Sequence, residues 1–180
     1  MEPDNIFLVG MMGAGKSTVG KALARRLGRD FVDCDREIVQ RTGVPIATIF
    51  EIEGEPGFRA RESAVLAELA ARKGIVVATG GGAVLADENR RLMRECGIVV
   101  YLHAALDHLH ERTRRDGARP LLGKSDRRAT LASILEARDA LYREVAHVVV
   151  ESGVPSAGSL AGRIAEELEA RQRTAEPAPR

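Results

Sequence analysis

Residues 10–17 read GMMGAGKS, and Gly10, Gly15, Lys16 and Ser17 satisfy the spacing of a phosphate-binding loop. The chemistry behind that spacing is specific. Glycines let backbone N–H groups turn inward around phosphate oxygens, and the helix that follows adds its positive end. In such a loop Gly13, Ala14, Gly15, Lys16, Ser17 and Thr18 cradle a nucleoside triphosphate, the lysine reaches the β- and γ-phosphates, and Ser17 offers a hydroxyl to Mg²⁺. A tight strand-to-helix turn with no ligand has no use for the lysine.

A magnesium–triphosphate complex needs a carboxylate nearby. The apolar run at 75–78 ends in Ala78, Thr79 and Gly80, with no acid. The run at 31–33 ends in Asp33, and Asp35 follows two residues later. Ligands gather at the carboxyl ends of strands in open α/β sheets, so these acids face the γ-phosphate if their strand neighbours that of the loop. They also suit the start of the next helix, and the residues alone leave both roles open. Arg59, Arg119 and Arg138 offer positive charge for an acceptor, and bidentate pairing would suit a carboxylate-bearing one.

These side chains must be positioned by elements whose pattern is regular. Short apolar runs at 5–9, 31–33, 75–78, 98–102 and 147–150 read as strands. Helical spacing falls at 16–27, 35–42, 45–50, 57–73, 87–95, from about 105, at 127–145 and at 156–171. The stretch RTRRDGARPLLGKSD is broken by glycines and a proline and predicts no continuous helix. Five strands alternating with helices predict an α/β fold: a parallel sheet covered on both faces, in three α/β/α layers.

The totals narrow the function. A length of 180 residues fits one domain, and a net charge of +1 with 3% aromatics argues against nucleic acid or an anionic membrane as partner. No apolar run reaches the ~20 residues of a membrane span, and MEPDN is acidic and unlike a secretion signal. Cys34 and Cys96 form no CxxC pair and fit a reducing cytoplasm, and the four histidines read as solvated. The only asparagines are Asn5 and Asn89, so the NKxD base-reading motif of a guanine-nucleotide switch is missing.

Taken in order, GMMGAGKST, VDCDREI, IFEIEGEPGFRARE, ATGGGAV, ARPLL and ALYREVA after EARD resemble the shikimate kinase family, over about residues 5 to 170. The resemblance implies a P-loop kinase fold with a lid, related to the nucleoside monophosphate kinases. It implies one kinase domain over 1–171, with an acceptor-binding segment at about 34–62, a lid at about 112–125 and a flexible tail at 172–180. It implies transfer of the γ-phosphoryl of ATP to the 3-hydroxyl of shikimate, in the route to chorismate and the aromatic amino acids, by a cytoplasmic monomer that uses Mg²⁺.

Residue by residue, the resemblance implies that Asp33 and Ser17 hold the Mg²⁺ shell and that Asp35 binds the shikimate hydroxyls beside the attacking one. Arg59 and Arg138 clamp the shikimate carboxylate. Gly80, Gly81 and Gly82 line the ring, with Phe50 and Phe58 near it. Arg119 comes from the lid to neutralise the moving phosphoryl group, and Arg112 and Pro155 flank the adenine. Two departures stand out. Cys34 replaces the more usual Thr or Ser and raises the expectation of an oxidation-sensitive site. Asp139, next to Arg138, is expected to weaken it by local pairing. Competing readings are a kinase of another small hydroxy acid, such as gluconate, and a non-catalytic nucleotide-binding protein.

Overall fold

The computed structural model describes residues 5–114, 126–153 and 156–175. Five strands, β1 (Asn5–Val9), β2 (Phe31–Asp33), β3 (Val76–Ala78), β4 (Gly97–His103) and β5 (Val148–Glu151), form one parallel sheet in the order β2-β3-β1-β4-β5. The helices are α1 (Lys16–Leu27), α2 (Cys34–Thr42), α3 (Ile46–Ala70), α4 (Asp87–Cys96), α5 (Leu106–Thr113), α6 (Arg127–Val145) and α7 (Ala157–Ala175). Every residue of β1 is buried, as a central strand covered on both faces requires. The α/β layering read from the sequence is the layering observed.

The buried polar side chain of Asn5 ties this sheet together. Its Nδ2 donates to the carbonyls of Ala70 (3.2 Å) and Arg72 (2.7 Å), and its Oδ1 accepts from the Ile75 amide (3.2 Å). One side chain thus satisfies the end of α3, the turn after it and the entry to β3, groups that burial would otherwise strand.

Three features differ from the sequence reading. The two helices expected at 45–50 and 57–73 meet as α3, bent at Gly54 (φ 69°, ψ −179°) with Pro56 just beyond. That conformation is open almost only to glycine, so one residue suffices for the break. α7 runs to Ala175, past the expected end at 171. The histidines are not all solvated: His147 Nδ1 accepts the Val99 amide (3.0 Å), and His103 Nδ1 lies 2.8 Å from the Glu151 carboxylate. Among the described residues, no helix is long and apolar enough to cross a membrane.

Candidate functional site

The loop between β1 and α1 has the backbone its sequence demands. Gly13 and Gly15 take positive φ (82° and 96°), and a side chain at Gly13 would strike Thr113 at the end of α5. Lys16 Nζ donates to the carbonyls of Gly10 (2.7 Å) and Met11 (2.9 Å), so the ammonium is held at the mouth of the loop. From α5, Arg112 Nη1 donates to the carbonyls of Gly13 (3.2 Å) and Ala14 (3.3 Å). A cleft of about 570 Å³ opens over this loop, lined by residues 12–19, Asp33, Asp35, Gly81, Arg112 and Ser152, with Ser156, Ala157 and Leu160 at the start of α7. The last three were not foreseen, since a helix start gives no sign of which cleft it borders. Arg119 and Pro155 lie outside the described residues.

The acids reach the loop by a different route from the one the sequence suggested. β2 is not the neighbour of β1, because β3 lies between them. The contact is made instead through α1. Gly20 leaves no Cβ between that helix and the Phe31 ring of β2, and from the head of the same helix Ser17 Oγ donates to Asp33 Oδ2. Asp33 Oδ1 meanwhile caps α2, accepting from the amides of Asp35 (3.1 Å) and Arg36 (3.2 Å). One carboxylate therefore caps α2 and reaches the head of α1 at once.

The glycine triplet after β3 gathers charged side chains around it. A side chain at Gly80 would strike the Glu62 carboxylate and approach Asp35 Oδ1 to 3.1 Å. One at Gly81 would meet Arg138 Nη1 at 3.8 Å, and one at Gly82 would strike the Arg59 guanidinium. Asp35, Arg138 and Arg59 thus stand against Gly80, Gly81 and Gly82 in turn. Arg138 is only 6% exposed, and its buried Nη1 has no hydrogen-bond partner. Phe50 and Phe58 stack with centroids 4.9 Å apart, and Arg59 Cζ lies 5.2 Å from the Phe58 centroid.

Glu62 was missed. It is 1% exposed, and its Oε2 accepts from Arg59 Nη1 (2.7 Å), while the more exposed Glu55 accepts from Arg59 Nη2 (3.0 Å). Burial pushes the Glu62 carboxyl above the ordinary carboxylate range, and the Arg59 charge opposes this. Its three-residue spacing from Arg59 was the available signal, but exposed helices carry many such pairs. Tyr142 was also missed: fully buried, it donates from its hydroxyl to the Gly81 carbonyl at 2.5 Å.

Both expected departures resolve differently. Burial, reinforced by the neighbouring acids, holds the Cys34 thiol well above its ordinary pKa, which opposes the thiolate that oxidation needs. Asp139 does not pair with Arg138. It accepts from Tyr101 Oη (2.8 Å) and Arg143 Nε (2.7 Å) instead.

Comparison with known proteins agrees with this geometry. A family model described as shikimate kinase matches residues 12–169. The shikimate kinase of Bordetella avium is 56% identical over 165 residues, covering 92% of this chain and 79% of that protein. The shikimate kinase of Nitrosospira multiformis is 56% identical over 170 residues, covering 94% and 87%. The solved structure of shikimate kinase from Acinetobacter baumannii in complex with shikimate superposes with a TM-score of 0.92 at 48% identity, covering 94% of each chain. With a phosphate-binding loop on a five-stranded parallel sheet and a model match over most of its length, this chain belongs to the shikimate kinase family of ATP-dependent kinases.

Proposed function

We propose that the protein transfers the γ-phosphoryl group of ATP to the 3-hydroxyl of shikimate, giving shikimate 3-phosphate and ADP, as a single kinase domain with an acceptor segment at about 34–62 and a lid at about 112–125. The observation that carries this reading is Arg138: a buried guanidinium with an unpartnered nitrogen beside a side-chain-free floor. Such a group suits a bound carboxylate, because a buried charge is costly until it is paired. Arg59, braced by Glu62 and Glu55, supplies the second half of the clamp.

The floor of Gly80, Gly81 and Gly82 receives the carbon ring, with Phe50 and Phe58 packed nearby. Asp35, beside Gly80 and in the same cleft as the loop, orients the attacking hydroxyl and takes its proton as the new O–P bond forms. The loop amides and Lys16 hold the triphosphate, so the γ-phosphorus is presented to that oxygen and ADP leaves on the far side. Arg119, from the lid, adds positive charge to the moving phosphoryl group, and Arg112 and Pro155 border the adenine.

The Ser17 hydroxyl and Asp33 carboxylate meet, and both are hard oxygen donors of the kind Mg²⁺ prefers. Among the described residues no cluster of three or more acidic, histidine or cysteine side chains is placed to hold a metal, which fits an ion whose remaining ligands are phosphates and water. Bound there, Mg²⁺ would offset the charge of the triphosphate oxygens. We further assign the protein to the cytoplasm as a monomer that engages neither nucleic acid nor membrane. The net charge of +1 and the small aromatic content support this.

The test is an assay of purified protein with ATP and a panel of acceptors that includes shikimate and gluconate. Turnover of shikimate, with its KM raised about a hundredfold in Arg138→Ala, is the expected result. Preference for gluconate, or nucleotide binding with no transfer to any acceptor, would sink the reading.

A further inference from the structure

α6 carries the clamp residue Arg138 and, four residues on, Tyr142, so the two side chains share one face of the helix. Tyr142 is fully buried. Its hydroxyl reaches across to the Gly81 carbonyl at 2.5 Å, outside its own helix and 61 residues away in sequence. Gly81 is the glycine that faces Arg138 Nη1, and the space where its side chain would be lies 3.5 Å from both Gly10 O and Met12 N of the phosphate loop. The phenol therefore grips the point where the acceptor floor meets both the clamp and the loop.

The grip is itself held from behind. The Tyr142 ring stacks on Tyr101, with centroids 4.9 Å apart and planes inclined by 27°. Tyr101 donates to Asp139, which Arg143 also binds. Tyr101 thus supports the Tyr142 ring through its face, while its own hydroxyl turns to Asp139.

We propose that Tyr142 is a positioning residue for acceptor binding: by holding the Gly81 carbonyl against the face of α6 that bears Arg138, it sets the separation between the ring floor and the carboxylate clamp. The inference deepens the acceptor site proposed above and rests on that reading. Burial pushes the Tyr142 phenol up to about 12, against the opposing influence of Arg138, so the hydroxyl remains a donor throughout the neutral range. The loss of a buried hydrogen bond is felt where its partner acts, and Gly81 acts on the acceptor.

The experiment compares Tyr142→Phe and Tyr101→Phe with the unaltered enzyme. Tyr142→Phe keeps the stacked ring and loses the bond to Gly81. The KM for shikimate should rise about tenfold, with the KM for ATP within about twofold. Tyr101→Phe should leave both KM values within about twofold. An unchanged shikimate KM in Tyr142→Phe, or an equal rise in the ATP KM, would overturn the proposal. Should Tyr142→Phe fail to fold, a second measurement decides. The chain has only two tyrosines, so fluorotyrosine incorporated into Tyr101→Phe reports on Tyr142 alone. Its ¹⁹F resonance should shift on adding shikimate and stay in place with a non-hydrolysable ATP analogue. No shift with shikimate overturns the inference. Failure of the functional reading is distinguishable, because it appears as absent shikimate turnover in the unaltered enzyme.

Discussion

In the proposed site, Lys16, Asp35 and Arg138 would carry separable parts of the reaction. Lys16→Ala should lower kcat by about 10²–10³, since it removes a cation aimed at developing charge. Asp35→Asn should lower kcat by about 10²–10⁴ while the protein stays folded, as steady-state kinetics and circular dichroism together would show. Arg138→Ala should act mainly on shikimate KM, by about a hundredfold, because a fully desolvated charged contact is lost. Glu62 makes a pH prediction. Its folded pKa is raised by burial above the ordinary value. Its protonated form therefore favours the fold: that stability is fully present below about pH 4.5 and fades as pH climbs through the raised folded value. Glu62→Gln should flatten this trend, so thermal melts of the two proteins should converge or cross as pH rises from 4 to 8.

At the scale of elements, two joints shape α3: its bend at Gly54 and its end at Asn5. Gly54 bends α3 in a conformation that other residues adopt at a cost of about 1–3 kcal/mol. Gly54→Ala should lower the melting temperature and raise the shikimate KM, with little change in the ATP KM, because the bend aims Phe58, Arg59 and Glu62. Asn5→Ala should destabilise the protein by about 3 kcal/mol in denaturant titration, since three hydrogen bonds that close α3 and open β3 are lost together. The helices and strands themselves were legible because hydrophobic period and glycine placement are local signals. The bend in α3 was legible only as a gap, since a single residue with positive φ leaves helical pattern on both sides.

For the molecule as a whole, the two ligand sites should report on one cooperative unit. At about a hundred times its Kd, either ligand should add about 2.7 kcal/mol of stability, a rise in melting temperature of roughly 5–10 °C. Removing Mg²⁺ with a chelator should abolish turnover, and re-adding it should restore it.

The phosphate loop, the alternation of strands and helices, and the list of candidate acids and arginines were determined by sequence alone. Each depends on neighbours within a few positions: glycines where the backbone must turn inward, a lysine and serine at the head of a helix, apolar runs at strand length. The order of the strands was decided only by the fold, and with it the route by which Asp33 meets Ser17 at the head of α1 rather than from a strand adjacent to β1. The same holds for the convergence of Asp35, Arg138 and Arg59 on three consecutive glycines, and for the supports supplied by Glu62 and Tyr142. Apart from the Arg59–Glu62 pair within α3, those contacts join residues from separate elements, and burial gives them their strength. No local pattern encodes which distant side chain will share a dry pocket, so only the packed chain reveals it.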